Sequence, residues 1–238
     1  MYYIIFTVLV FAKISAAIPV QNLNAEAEAK GNKILECFRD ILLNGDEELS
    51  LPPLDPSPPM DTVIDVPGAN GSILLKNFQT EGISAWKTTL KVDLMNNPEV
   101  AIVKVGFLWP AGVMEADYDI DINYMNNVIT GKGHLKRTDF NQVIDMELEV
   151  AFDTVKLKKF YIRFSLEKIQ IDVDEILLNG VDVSSIISSV AQKIPDILKM
   201  YEKELSSYFS EKILESFNSI DQKNINSILD FVKRRCNV

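Results

Sequence analysis

The sequence predicts an α+β fold in which a strongly curved antiparallel β-sheet wraps a long C-terminal helix. Three observations carry this. Residues 114–124 (MEADYDIDINY) alternate without a break, Met114, Ala116, Tyr118, Ile120, Ile122 and Tyr124 on one side and Glu115, Asp117, Asp119, Asp121 and Asn123 on the other. Successive side chains of a strand point to opposite faces, so this is a strand with one apolar and one wetted face. Alternating segments follow one another closely from Gly71 to Val173 with no helical stretch between them, which makes neighbours antiparallel. From Ile186 to Phe217 the apolar period changes to three and four, the spacing of a helix long enough to cover the sheet.

The chain has 238 residues. Residues 1–17 read as a secretory signal, an apolar run too short to span a bilayer followed by small residues at Ser15-Ala16-Ala17. Residues 18–238 then form a single domain with room for a real core. The formal net charge is −10. Such a chain repels phosphate backbones, so nucleic acid is not expected as a partner, and no later stretch is apolar enough for stable membrane insertion. A monomer is expected. Two cysteines, Cys37 and Cys236, allow one bridge tying the two ends of the chain, or two separate thiols. Asn70-Gly71-Ser72 is an N-glycosylation sequon beside Pro67 and Gly68, and so belongs to a loop.

In chain order, residues 25–44 form a first helix, with Ile34, Leu35, Phe38, Ile41 and Leu42 at helical spacing and Gly45 placed to end it. LPPLDPSPP at 51–59 holds five prolines in nine positions, which forbids helix and central strand and makes a stiff connector. The strands that follow carry Leu90, Val92 and Leu94; Val103, Val105, Phe107 and Trp109; the 114–124 stretch; Gly131, Gly133 and Leu135; Ile144, Met146, Leu148, Val150 and Phe152; and Phe160, Ile162 and Phe164, continued by Ile169, Ile171 and Val173. Turns are expected at Asn96-Asn97-Pro98, Pro110-Ala111-Gly112, Asn126-Asn127 and 139–141. A continuous helix over 186–217 would run about 48 Å, with Pro195 kinking it or starting a new segment. A shorter helix covers about 222–236.

Chemical motifs are scarce. Asp117, Asp119, Asp121 and Asn123 start like a calcium loop, but Ile122 stands where the sharp turn needs glycine and Val128 where a bidentate glutamate belongs. They read as the wet face of a strand. His134 is the single histidine and has no G-x-S-x-G elbow to serve. No zinc set, Walker loop or dinucleotide fingerprint occurs, so the sequence points away from an enzyme and implies neither metal nor cofactor. What it does supply is apolar surface. The inward strand residues Leu90, Val92, Val103, Val105 and Phe107 are ligand-lining candidates, as are Met114, Tyr118 and Ile120. Ile144, Met146, Leu148, Ile162 and Phe164 follow from the later strands. Ile197, Tyr201, Leu205 and Tyr208 would face them from the helix.

LPPLDP at 51–56, after a short cysteine-bearing helix, resembles the N-terminal signature of the takeout and haemolymph juvenile-hormone-binding family of insects. The order that follows is also similar: alternating strands, GKGHLKR at 131–137, then a long C-terminal helix. The strand pair around MEADYDIDINY and VIDMELEV also resembles the group 7 mite allergens. The resemblance covers most of residues 25–217. It implies the tubular lipid-binding fold and a secreted carrier of one elongated hydrophobic ligand, a juvenile-hormone-like terpenoid or a fatty acyl chain. The family's close cysteine pair near the N-terminus is absent here. An innate-defence or interaction protein of the same fold, binding microbial lipid or a protein through an exposed apolar patch, is the alternative.

Overall fold

The computed structural model describes residues 23–94, 99–151 and 156–238. The signal sequence expected at 1–17, the turn expected at Asn96-Asn97-Pro98 and Phe152 lie outside the described residues. The order begins with α1 (Leu23–Asn44), β1 (Met60–Asp65), β2 (Asn70–Glu81), β3 (Lys87–Asp93), β4 (Val100–Tyr124) and β5 (Asn127–Ala151). It continues with β6 (Leu157–Ser165), β7 (Lys168–Val173), β8 (Ile176–Leu178) and β9 (Val181–Asp182). Four helices close the chain: α2 (Ser184–Ala191), α3 (Ile194–Met200), α4 (Glu202–Asn218) and α5 (Gln222–Cys236). The fold is α+β, a long, curved, open antiparallel sheet with helices packed on it.

Ile34, Leu35, Phe38 and Ile41 are buried on one face of α1. The helix stops at Gly45, whose φ of +75° lets its amide donate back to the Ile41 carbonyl at 2.8 Å. A Cβ there would lie 2.5 Å from the Leu51 carbonyl oxygen, so the position requires glycine. The proline-rich connector is tied at both ends. The Leu54 amide donates to the Leu42 carbonyl at 2.7 Å, and the Ser57 amide to the Thr80 carbonyl at 2.8 Å.

β4 and β5 form a ribbon paired along their whole length, each 25 residues or about 80 Å long. A two-residue turn joins them, with Met125 and Asn126 at φ 49° and 64°, the geometry that suits the twist of a tight hairpin. The turns expected at Pro110-Ala111-Gly112 and at 139–141 do not form; both strands run through. The inward face nevertheless changes there. Val103, Val105 and Phe107 are buried before Pro110, whereas Ala116, Tyr118 and Ile122 are buried after it. On β5, Leu135 packs inward before Asn141, and Met146 and Leu148 after it. Asn141 sits at φ 47°, and Pro110, which has no amide proton to give a neighbour, lies in line with it between the pairs Trp109 with Gln142 and Ala111 with Phe140. Two irregularities face each other, so the ribbon flips faces without losing register.

The neighbours change at the same point. β3 pairs with β4 up to Leu108 and β2 takes over at Val113, while β6 pairs with β5 as far as Val143 and β7 takes over at Phe140. The ribbon therefore joins two half-sheets. One carries the main core, roofed by α1, α4 and α5. The other carries a smaller cluster around Leu75, Ala116, Tyr118 and Ile176, partly roofed by Val183 and Ile187.

The continuous helix expected over 186–217 is instead three segments. Pro195 starts α3, and a second break falls at Tyr201, with φ −103° and ψ 17°. The apolar stripe is also wider than its contact. In the adjacent pairs Ile186/Ile187, Ile197/Leu198 and Tyr208/Phe209, the first member is exposed and the second is half-buried. α5 lies on α1 and is bound to it by the Cys37–Cys236 disulfide, with Cα atoms 5.6 Å apart.

Candidate functional site

Where the ribbon flips, the two half-sheets part and leave a pocket of about 410 Å³. Its apolar wall comes from Trp109, Val113 and Met114 of β4, Ile144 and Met146 of β5, and Ile162 and Phe164 of β6. Ile213 of α4 closes the helical side. The volume is ordinary for a small-molecule site, and the lining is dominated by the residue types such sites use.

The remaining wall is the loop from Gly82 to Trp86, and it is pinned from three directions. Asp55, buried in the connector, accepts the Gly82 amide at 2.6 Å on Oδ1 and the Ser84 amide at 2.7 Å on Oδ2, where the Ser84 hydroxyl also donates. From α1, Arg39 donates to the Ser84 carbonyl at 3.1 Å and the Trp86 carbonyl at 2.6 Å, with its guanidinium over the Trp86 ring. Trp109 donates its indole N–H to the Ile83 carbonyl at 2.9 Å. The Trp86, Phe107 and Trp109 rings pack together behind this loop. The proline-rich segment thus positions a pocket wall through Asp55.

The polar part of the lining comprises Thr80, Glu81, Arg137, Asp139 and Gln142. Arg137 grips Asp139 with two parallel bonds, Nε to Oδ1 at 2.9 Å and Nη2 to Oδ2 at 2.7 Å. Both residues share the inward parity of Leu135. Sequence reading missed them, although a charged pair two residues apart on the apolar side of an alternating strand was a signal.

Among the candidates named from sequence, Met114, Ile144, Met146, Ile162 and Phe164 come together in this pocket. Leu90, Val92, Val103, Val105, Phe107 and Leu148 lie in the main core instead. Tyr118 and Ile120 belong to the second cluster, where the buried Tyr118 hydroxyl donates to the Glu175 carbonyl at 3.3 Å. Burial also raises its phenol pKa. On the helices, Leu205 is half-buried, while Ile197, Tyr201 and Tyr208 are 44%, 52% and 57% exposed. The sequence did not single out Ile83 or Val113, and it placed Ile213 on the apolar stripe of the covering helix without naming it as lining. Asn70 is the exposed first residue of β2 rather than a loop residue.

The outer face of the ribbon carries cross-strand pairs in register: the ion pairs Glu115 with Lys136 and Asp119 with Lys132 at 3.2 Å, and the hydrogen-bonded pair Asp117 with His134 at 3.1 Å. Hydrogen bonds from Asn77 and then His134 hold the Asp117 carboxyl below its usual range, and Lys136 does the same for Glu115. Asp117 and Asp119 of the acidic run that begins like a calcium loop are therefore partnered across the ribbon. Among the described residues no group of three or more histidine, cysteine or acidic side chains is placed to hold a metal ion.

The profile of the haemolymph juvenile hormone binding protein family matches residues 4–225. Among solved structures, Takeout 1 of Epiphyas postvittana is similar at 14% identity and TM-score 0.42, over 80% of this chain and 93% of that one. Lipopolysaccharide binding protein is similar at 9% identity and TM-score 0.26, over 76% of this chain and 39% of that one. No curated protein sequence matches this chain.

Proposed function

Because this chain belongs to the haemolymph juvenile hormone binding protein family, we propose that it is a secreted carrier holding one elongated hydrophobic ligand in the pocket at the ribbon's bend. The observation that carries the reading is the pocket itself, lined mainly by apolar side chains with a few polar ones and built from residues scattered over β4, β5, β6 and α4. Removing apolar surface from water, worth roughly 25 cal/mol per Å², drives binding. A terpenoid of the juvenile-hormone type or a fatty acyl chain is the ligand class. Residues 1–17 direct the chain to secretion, residues 18–238 act as one domain and as a monomer, and Asn70 carries a glycan. The Cys37–Cys236 bridge supports an oxidising, extracellular destination. Among the described residues no helix is long and apolar enough to cross a membrane.

A titration with an environment-sensitive fluorescent acyl probe tests this. Ile144→Trp fills the pocket and weakens probe binding by about tenfold or more while the circular dichroism spectrum stays unchanged. An unchanged affinity sinks the pocket assignment. The exposed apolar stripe at Ile186, Val190, Ile197, Tyr201 and Tyr208 favours a second reading, an interaction protein binding microbial lipid or a protein partner there. In that case Ile144→Trp has no effect and polar substitution at Ile197 and Tyr201 abolishes binding.

A further inference from the structure

The helices close the free edges of the sheet with side chains. Every second amide and carbonyl of an edge strand points away from its neighbour and is open to another partner. On β3 the Val92 and Leu94 amides donate to Glu28 and Asn24 of α1 at 3.1 and 3.0 Å. On β6 the Ile162 amide donates to the Ser210 hydroxyl of α4 at 3.2 Å, and Asn218 both accepts from and donates to Leu157. On β7 the Ser188 hydroxyl of α2 donates to the Ile171 carbonyl at 2.8 Å. β1 is different. It pairs with β2 on one side, and among the described residues no group bonds to the backbone on its other side. All of β1 but Thr62 is exposed, and the strand has neither the lysine nor the proline that commonly protects an open edge. Met60, Thr62 and Ile64 lie on its inward face, in line with Leu75 and Ile73 of β2. Asp61, Val63 and Asp65 lie on the outward face, where Leu74 and Ser72 lead on to Asp119 and Asp121 of β4. Asp61 accepts the Asn77 amide at 3.1 Å, and Asp65 has no partner among the described residues.

We propose that β1 is a docking edge for an extended basic segment of a protein partner. The segment adds to the sheet as one further strand, with lysine or arginine opposite Asp61 and Asp65 and apolar side chains opposite Met60 and Ile64. Backbone bonds to β1 supply the attachment, and the two aspartates select the partner. The charge decides the occupant. A second copy of this chain would bring the same aspartates to the same edge in a protein of net charge −10, and like charges facing each other across strands destabilise a pair. A basic strand meets opposite charge at both positions. The inference is independent of what the pocket holds, because β1 contributes no residue to its lining.

The test titrates the isotope-labelled protein with the peptide Ile-Lys-Val-Thr-Val-Lys-Ile, blocked at both ends, and follows the backbone amide signals by NMR. Its lysines have the same spacing as Asp61 and Asp65. Signals of residues 60–65 move on binding. Two methylated versions, one on the valine nitrogens and one on the lysine and threonine nitrogens, keep every side chain and charge but each block one edge of the peptide. At least one of them binds about tenfold or more weakly, because its methyl groups stand where bonds to β1 form. Asp65→Lys weakens the lysine peptide about threefold or more and strengthens the version with glutamate in place of lysine by a similar factor. A gain of binding cannot come from misfolding. The inference is overturned if signals move elsewhere or not at all, if both methylated versions bind as well as the parent, or if Asp65→Lys leaves both peptides unchanged. It is also overturned if the signals of residues 60–65 broaden with protein concentration alone, which makes a second copy the occupant.

Discussion

Asp55→Asn isolates what the proline-rich connector contributes. The carboxylate is 8% exposed and accepts three hydrogen bonds, from the Gly82 amide, the Ser84 amide and the Ser84 hydroxyl. Asparagine keeps one acceptor oxygen and sets an NH₂ group against a donor on the other side. At least one charge-assisted bond is lost, at about 1.5–3 kcal/mol, and a buried donor is left facing another donor. The loss amounts to about 3 kcal/mol, which for a chain of this size lowers Tm by roughly 6–12 °C. Ligand affinity falls as well, because the freed loop supplies the Gly82 and Ile83 wall of the pocket. Thermal unfolding followed by circular dichroism reads the first effect and probe titration the second. Arg39 and Trp109 still hold the Ser84 and Ile83 carbonyls, so the protein folds and can be measured. A Tm within about 2 °C of wild type, with unchanged affinity, would refute the reasoning that the connector's aspartate holds the wall.

Two further outcomes concern the closing helix. Cys236→Ser opens a bridge between residues 199 apart, and the chain-entropy cost of so long a loop, about 5 kcal/mol as an upper figure and 2–4 in practice, lowers Tm by about 5–15 °C. A shift below about 2 °C shows that α5 is held by packing alone. Asp46 is held below the ordinary carboxylate range chiefly by the hydrogen bond from Arg235 Nε at 2.7 Å. Its folded value lies below its unfolded one, so this stabilisation is present above about pH 4 and is lost as pH falls through the folded value. The protection of amides in residues 222–236, taken relative to their intrinsic exchange rate, therefore falls at low pH in the wild type, and that pH dependence is weaker in Asp46→Asn. Identical profiles for the two proteins refute the linkage.

Residues 114–124 were legible as a strand because one of its faces is buried and the other is wetted by ion pairs, so polarity reports direction at every position. β1 was not, since Val63 and Ile64 are 57% and 44% exposed and an edge strand held by backbone pairing alone leaves no alternation to read. The switch of inward parity at Pro110 and Asn141 was visible but has two physical causes, a turn or a pair of facing irregularities. Only the partner strand's matching switch, Leu135 to Met146, separates them. The break at Tyr201 has no proline or glycine to announce it. A pocket is a gap between packed groups, and its lining was legible only as apolar parity. That parity is shared by Ile144 in the pocket and by Val103 in the core. Arg137 and Asp139 stood on that same parity with the wrong chemistry for a core.

Native mass spectrometry of the protein, followed by organic extraction, tests the carrier account most directly. The account predicts one bound molecule per chain, released on extraction as a terpenoid or a fatty acyl compound and absent from Ile144→Trp. A protein that emerges empty and takes up no such lipid when offered it contradicts the account.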